Sequence, residues 1–360
     1  MPVTWLRSHA PPPIRLRLLT DILPADAVDD EEVATLRDEV SRYKGVTQIG
    51  RKQRNTGVWA SNILGLKTSK ALGIKDIGTI SQYRRLLELG VPPTAPALQL
   101  ANRLFFRLLS RDDDPKLLFE YQKAAKANPT IAPWARGEMH EAATAALTHA
   151  GQVEDPRVRG AAQRLANSIS HFLRSELAEK PIIKKGAKYI LHPDAHPPSL
   201  YSVALFAYMP SLQRERAGFI ERLLQFITQP PPKKTFVIMV GNKGLKPTTL
   251  ILGDPLQNDS AGRPKDLPFA LHWMELLARL DALEATPSAK RALTRILKDC
   301  DNDGVWNGKG LRAFPKSPSG LAGFAFPLEI SDKTPASRRV DVTFRLAHLA
   351  KLAGLELEFV

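Results

Sequence analysis

The stretch Pro96-Ala-Leu-Gln-Leu-Ala-Asn-Arg-Leu-Phe-Phe-Arg-Leu-Leu109 decides the fold class. Leu98, Ala101, Leu104, Phe105, Leu108 and Leu109 fall at the i, i+3, i+4, i+7 spacing of one apolar helical face. Pro96 stands where a first helical turn begins, a position that needs no N–H and suits the fixed φ of proline. Gly90, a few residues earlier, marks the left-handed cap of a preceding helix.

The same unit recurs along the chain. Pro156 is followed by Val158, Ala161, Leu165, Ile169, Phe172 and Leu173, with Gly151 as the preceding cap and Asp155 as N-cap. Pro210 precedes Phe219, Ile220, Leu223, Leu224 and Ile227, and Pro287 precedes Ala292, Leu293, Ile296 and Leu297. The prolines lie 54 to 77 residues apart, longer than one hairpin of the shorter solenoid classes. The expectation is helix pairs with long connections. A single domain over 1–360 follows, interrupted by one β-rich insertion. In that insertion Thr235 to Val240 and Thr248 to Leu252 flank Gly241, Asn242, Lys243 and Gly244, which predicts a β-hairpin near 233–253 within an exposed flap at about 231–265.

Composition bounds the remaining possibilities. Hydrophobic residues at 43% and charged residues at 24% are ordinary globular usage, so a buried core is expected. One cysteine, Cys300, excludes an internal disulfide framework and a polythiolate zinc site, pointing to a cytoplasmic address. Met1 to Pro13 lacks the apolar run of a secretory leader, and the apolar stretch at Leu200 to Met209 is about half of the roughly 20 residues a membrane-spanning helix needs. A net charge of +14 would attract polyanions, although the basic residues are dispersed in small clusters.

Two further strings carry a family signal. Gln53, Gly57 and Trp59 form Gln-x-x-x-Gly-x-Trp, and Cys300, Gly304 and Trp306 repeat the spacing with cysteine in place of glutamine. Glycine permits the tight turn, tryptophan packs between helices, and glutamine reaches backbone at a neighbouring helix end. The first string is the signature of squalene and hopene cyclase repeats. The chain resembles the α/α-toroid superfamily of triterpene cyclases and protein prenyltransferases, and more closely its bacterial branch with prenyltransferase-type repeats. The opening from Trp5 to Leu23 is similar to the entry helix of that branch. Asp303 to Trp306, Phe326 to Glu329 and a last helix from Arg338 to Gly354 are similar to its closing repeat. The resemblance implies a mainly α fold, an α/α toroid of helix hairpins, with an apolar isoprenoid or lipid-like molecule in a central cavity. Trp273 and Glu275 are the candidate cavity residues; packing in the core is the alternative for Trp273.

The catalytic motifs that the resemblance implies are incomplete. Cyclases protonate an alkene with an Asp-x-Asp-Asp acid, and the nearest string here is Asp299-Cys300-Asp301-Asn302. Asp299, Asp301 and Asp303 are candidate acids on that basis, or else structural residues of the Gly-x-Trp turn. The aspartate, cysteine and histidine set of a prenyltransferase zinc site is missing, since only Cys300 and the distant His348 are at hand. Independently of the resemblance, Glu138, His140 and Glu141 can form an acid/base group on one helix, or a solvated edge. His192, Asp194 and His196 can ligate a transition metal, or cap a proline-rich loop. No Walker spacing follows Gly241, Ser317 to Gly320 lacks a nucleophile-elbow frame, and no cofactor is implied.

Three functions therefore compete: a toroid binding an apolar molecule or a partner, a basic helical-repeat protein binding nucleic acid in the manner of helical-repeat DNA glycosylases, and a non-catalytic protein-interaction scaffold. Whether the chain is an enzyme stays open at this point.

Overall fold

The computed structural model describes residues 1–65, 77–110, 113–308, 325, 328 and 335–355. Among them the chain is mainly helical, with two small antiparallel hairpins. No helix among the described residues is long and apolar enough to cross a membrane. The chain divides into two compact units woven from separate segments. One comprises residues 1–53, 82–98 and 256–360; the second comprises 54–81 and 99–255. Of the expected closing-repeat string only Leu328 is described; Phe326, Pro327 and Glu329, like the loop at 317–320, lie outside the described residues.

The proline-started helices form as their periodicity requires. Pro96–Leu109, Pro156–Leu173, Pro210–Glu215 and Pro287–Leu297 each begin at their proline. The Asp155 carboxylate accepts the Arg157 N–H at 2.8 Å, capping the second of these. Gly90 and Gly151 adopt φ of +78° and +77° and terminate the helices before them. After each, a backbone N–H reaches back into the last turn: Val91 donates to Leu86 and Gln152 to Leu147. The third copy is broken. Arg216, at φ −126° and ψ 36°, separates Pro210–Glu215 from a second helix, Ala217–Ile227, which buries Phe219, Ile220, Leu223 and Ile227.

The two Gly-x-Trp strings build the same turn. In the first, Gly57 donates to the Arg54 carbonyl and Arg54 donates to that of Val58; in the second, Gly304 donates to Asp301 and Asp301 to Val305. Each tryptophan is buried, Trp59 at 1% and Trp306 at 4% exposure. Each tryptophan's backbone N–H donates to a threonine hydroxyl on a later helix, Trp59 to Thr79 at 3.1 Å and Trp306 to Thr343 at 2.9 Å. Gln53 Nε2 donates to the Ala97 carbonyl in the first turn of Pro96–Leu109, at 2.8 Å. Cys300, which stands in the glutamine position of the second copy, forms an isolated backbone bridge with Trp306.

The β structure differs in detail from the sequence expectation. Strands β1 (Ile182–Lys185) and β2 (Lys188–Leu191) form one hairpin, and β3 (Ile238–Val240) and β4 (Lys243–Leu245) form another. The expected hairpin near 233–253 is present, but β3 turns over Gly241 and Asn242 to pair with Lys243–Leu245 rather than with Thr248–Leu252. A two-residue turn with glycine at positive φ closes the shorter hairpin, which leaves the later run free to pair elsewhere. Thr249 accordingly accepts from the Leu200 N–H and Ile251 donates to Pro198. The β1–β2 hairpin, closed over Gly186, has only four-residue strands and was not expected from the sequence.

Gly57 and Gly304 have matching φ values, +86° and +79°, but different surroundings. A Cβ on Gly57 would stand 2.6 Å from the Leu100 carbonyl oxygen, whereas on Gly304 its nearest neighbour would be Pro2 Cδ at 3.4 Å. Gly304→Ala is expected to cost about 1–2 kcal/mol from the left-handed backbone alone. Gly57→Ala adds overpacking against backbone, about 1–3 kcal/mol more. Thermal melts of the two variants should therefore rank Gly57→Ala below Gly304→Ala, and equal midpoints would contradict the difference in packing.

Candidate ligand pocket

In the second unit, the helix Ile131–His149 runs beside the helix Pro156–Leu173 and packs on Leu200–Ala207. Small alanines on its buried face, Ala142, Ala143, Ala145 and Ala146 among them, permit that close approach. One turn apart on this helix stand Glu138 and Glu141. They line a cavity of about 320 Å³. Its apolar wall includes Trp134, Leu165 and Ile169 from the two helices, and Leu191, Ile238 and Leu250 from the β segments. His192 and His196, on the loop after β2, complete the polar lining together with Ser168.

The two carboxyl groups live in different environments. Glu141 Oε1 accepts from the Ser199 hydroxyl at 2.7 Å. Ser199 is itself the N-cap of Leu200–Ala207, in a reciprocal capping box with Ser202. Burial raises the Glu141 pKa, and hydrogen bonds from Ser199 and Ser202 oppose that rise. Glu138 receives one long hydrogen bond, from Thr249 Oγ1 at 3.3 Å. Burial, reinforced by the neighbouring Glu141 charge, pushes its pKa up to about 7. The result is a carboxyl group that changes charge near neutrality at the wall of an apolar cavity.

The structure thus joins two clusters that the sequence kept apart. Glu138 from the helix and His192 and His196 from the proline-rich loop share one cavity with Glu141. His140 is not among the lining residues; it is half-buried, and burial together with the Arg164 charge lowers its pKa. Asp194 points to solvent at 84% side-chain exposure, 3.9 Å from His192 Nδ1, and its N–H donates to that nitrogen at 3.2 Å. Among the described residues no three His, Cys, Asp or Glu side chains converge as a metal-binding group. Trp134 and Ser168 were not singled out from the sequence. Trp134 has the i, i+4 relation to Glu138 that places both on one helix face, a signal visible in the string itself.

The other candidates lie in the first unit. Trp273 is fully buried on the helix Leu267–Arg279. Glu275 accepts from Arg279 at 3.0 Å and lines a gap of about 10 Å³ beside Arg17, Phe344, Arg345 and His348, room for one water at most. A buried ionic network surrounds it. Arg17 donates to Asp21 at 2.7 Å, and Arg345 donates to Asp341 at 2.7 Å while lying 3.7 Å from Glu88. Burial opposes charge on Glu275, but Arg279 and the other nearby cationic groups hold its pKa well below the ordinary carboxylate value. Burial drives His272 down to about 3 and His348 down to about 4, so both imidazoles are neutral. His272 Nε2 accordingly accepts from Arg84 at 3.3 Å.

Asp299 accepts from Arg295 at 2.9 Å, and Asp301 accepts the N–H groups of Asp303 and Val305, so these acids are engaged in the turn. Burial and the adjacent Asp301 and Asp299 push the Cys300 thiol up to about 11, away from thiolate chemistry. Compared with protein families, curated proteins and solved structures, the chain matches none.

The raised pKa of Glu138 has a sign that stability measurements can read. Below the ordinary carboxylate value both folded and unfolded chains hold the proton, and the group costs nothing. As pH climbs from there to about 7, the unfolded chain ionises first, so stability falls, and it levels off above. Glu138→Gln is therefore expected to stabilise the protein by about 2 kcal/mol near pH 8 and by almost nothing near pH 4. Thermal melts at the two pH values check this; a gain that does not vary with pH would mean that folding leaves the Glu138 pKa unshifted.

Proposed function

We propose that the chain binds a small molecule with an apolar body and a basic head group in the pocket of its second unit. One observation carries the reading: two carboxyl groups stand in an apolar-walled cavity whose described lining contains no lysine or arginine. A volume of about 320 Å³ lies at the lower end of small-molecule sites. An ammonium group seated at Glu138 would supply the positive charge its carboxylate lacks, and Trp134 in the lining is an aromatic partner for a cation. A carboxylate ligand would meet repulsion from the same groups.

The wider family reading belongs to this proposal. An α/α toroid related to triterpene cyclases and prenyltransferases, binding an isoprenoid or lipid-like molecule, draws its support from the paired Gly-x-Trp turns with their matching hydrogen bonds. The pocket adds an apolar wall with an acid/base group in it. Glu138 would then recognise the head group, and His192 and His196 would line its approach.

Titration with decylamine, decanol and decanoate, followed through tryptophan fluorescence and native mass spectrometry, tests the reading. Decylamine is expected to bind about tenfold or more tightly than decanol, a difference of about 1.4 kcal/mol. That preference should fade as pH drops below about 7 and Glu138 takes up its proton. Glu138→Gln should remove the preference while leaving decanol binding intact. Equal affinity for all three probes, or tighter binding of decanoate, would refute it.

A further inference from the structure

The two hairpins share a compositional property that the pocket alone does not use. Residues 180–191 carry Lys180, Lys184, Lys185 and Lys188, and residues 228–253 carry Lys233, Lys234, Lys243 and Lys246. Neither segment contains an aspartate or a glutamate. All eight lysines are exposed, and among the described residues none has a carboxylate within ion-pair distance.

The fold brings the two segments together. Leu191 donates to the Val237 carbonyl at 2.9 Å and Val237 donates to that of Tyr189 at 3.1 Å, so the second segment runs alongside β2. Lys234 Nζ stands 4.6 Å above the Tyr189 ring, which ties a lysine of one segment to a side chain of the other. Ile183 is 37% exposed among these charges, and Pro231 and Pro232 are exposed beside Lys233. On their inner side the same segments provide Leu191, Ile238 and Leu250 to the pocket wall.

We propose that this lysine-covered pair of hairpins docks the protein on an anionic lipid surface, beside the pocket that takes the apolar ligand. Three features favour a lipid surface over nucleic acid. The charges are all lysine, compact point charges without the bidentate fork that reads bases and grips phosphates in fixed geometry. Exposed Ile183 and the prolines supply apolar contact at the level where headgroups meet acyl chains. The hairpins also supply part of the cavity wall, the position in which an exchange of lipid-like ligand with a bilayer would occur. This last point rests on the ligand reading above; vesicle binding itself does not.

Flotation with phosphatidylcholine vesicles, with and without phosphatidylglycerol, tests the proposal on the full chain. Binding is expected only to the anionic vesicles and should weaken as salt rises. Each lysine near such a surface contributes about fivefold in partitioning, so the triple variant Lys184→Gln, Lys185→Gln, Lys188→Gln should lose about a hundredfold. A control with Lys126→Gln, Lys298→Gln and Lys351→Gln, exposed lysines outside the hairpins, should bind as the parent does. Ile183→Asp should weaken vesicle binding without affecting decylamine binding in vesicle-free solution.

Equal losses in the two triple variants would overturn the proposal, because net charge alone would then explain the binding. Equal binding to neutral vesicles would overturn it too. Tighter, hairpin-dependent binding of a duplex oligonucleotide than of anionic vesicles would assign the patch to nucleic acid instead. The two readings fail separately: absence of decylamine binding with vesicle binding intact refutes the pocket ligand alone.

Discussion

The carboxylate of Glu141, accepting the hydroxyl that caps another helix, is the interaction on which the second unit's pocket depends. It fixes the loop carrying His192 and His196 against the helix Ile131–His149 by way of Ser199. A buried carboxylate without partners is costly, and this one is served by two serines at a helix N-terminus, where negative charge is favoured. Glu138, one turn earlier on the same face, has no equivalent set. The asymmetry of the pair follows from this: one carboxyl holds the architecture, and the other faces the cavity with its hydrogen-bonding capacity largely unspent.

The first unit solves the same electrostatic problem in the opposite way. Its buried and half-buried acids meet arginines: Asp21 with Arg17, Asp341 with Arg345, Glu275 with Arg279. The space that remains, about 10 Å³, is too small for anything but a water. A network so closed specifies packing and leaves no group in need of a ligand. Charge in this unit is neutralised internally, whereas in the second unit's cavity two acids face apolar walls and imidazoles.

What could be read from the sequence follows physical range. Proline at N1 and a 3.6-residue apolar stripe are local rules that the helices from Pro96, Pro156 and Pro287 obey, and glycine caps the helices before the first two. The break at Arg216 was not legible, because Phe219 to Ile227 keeps a helical period whether or not it continues the helix from Pro210. Strand pairing is non-local, so the sequence located the β-rich stretch but chose Thr248–Leu252 as the partner of β3; the two-residue turn at Gly241 and Asn242 selects Lys243–Leu245 instead. The pocket was half legible. Glu138, His192 and His196 stood out by residue type, but their meeting depends on the contact between helix and loop that Glu141 and Ser199 make, and the distance between positions 141 and 199 hides it.

Glu138 is poorly explained as a device for stability. A carboxyl group whose pKa is pushed to about 7 by burial and a like charge weakens the fold at neutral pH, and an apolar or amide side chain would fit the same wall at lower cost. The strain is localised: Glu141 has its serines, Thr249 gives Glu138 a single long bond, and no lysine or arginine lines the cavity. Positive charge is meanwhile abundant a short way along the chain, on hairpins whose inner residues form the cavity wall and whose outer residues are all but free of acids. Negative groups inside and lysines outside, carried by the same β segments, give the pocket and the surface opposite preferences. A ligand with an apolar body and a cationic head, drawn from a surface rich in anionic groups, satisfies both.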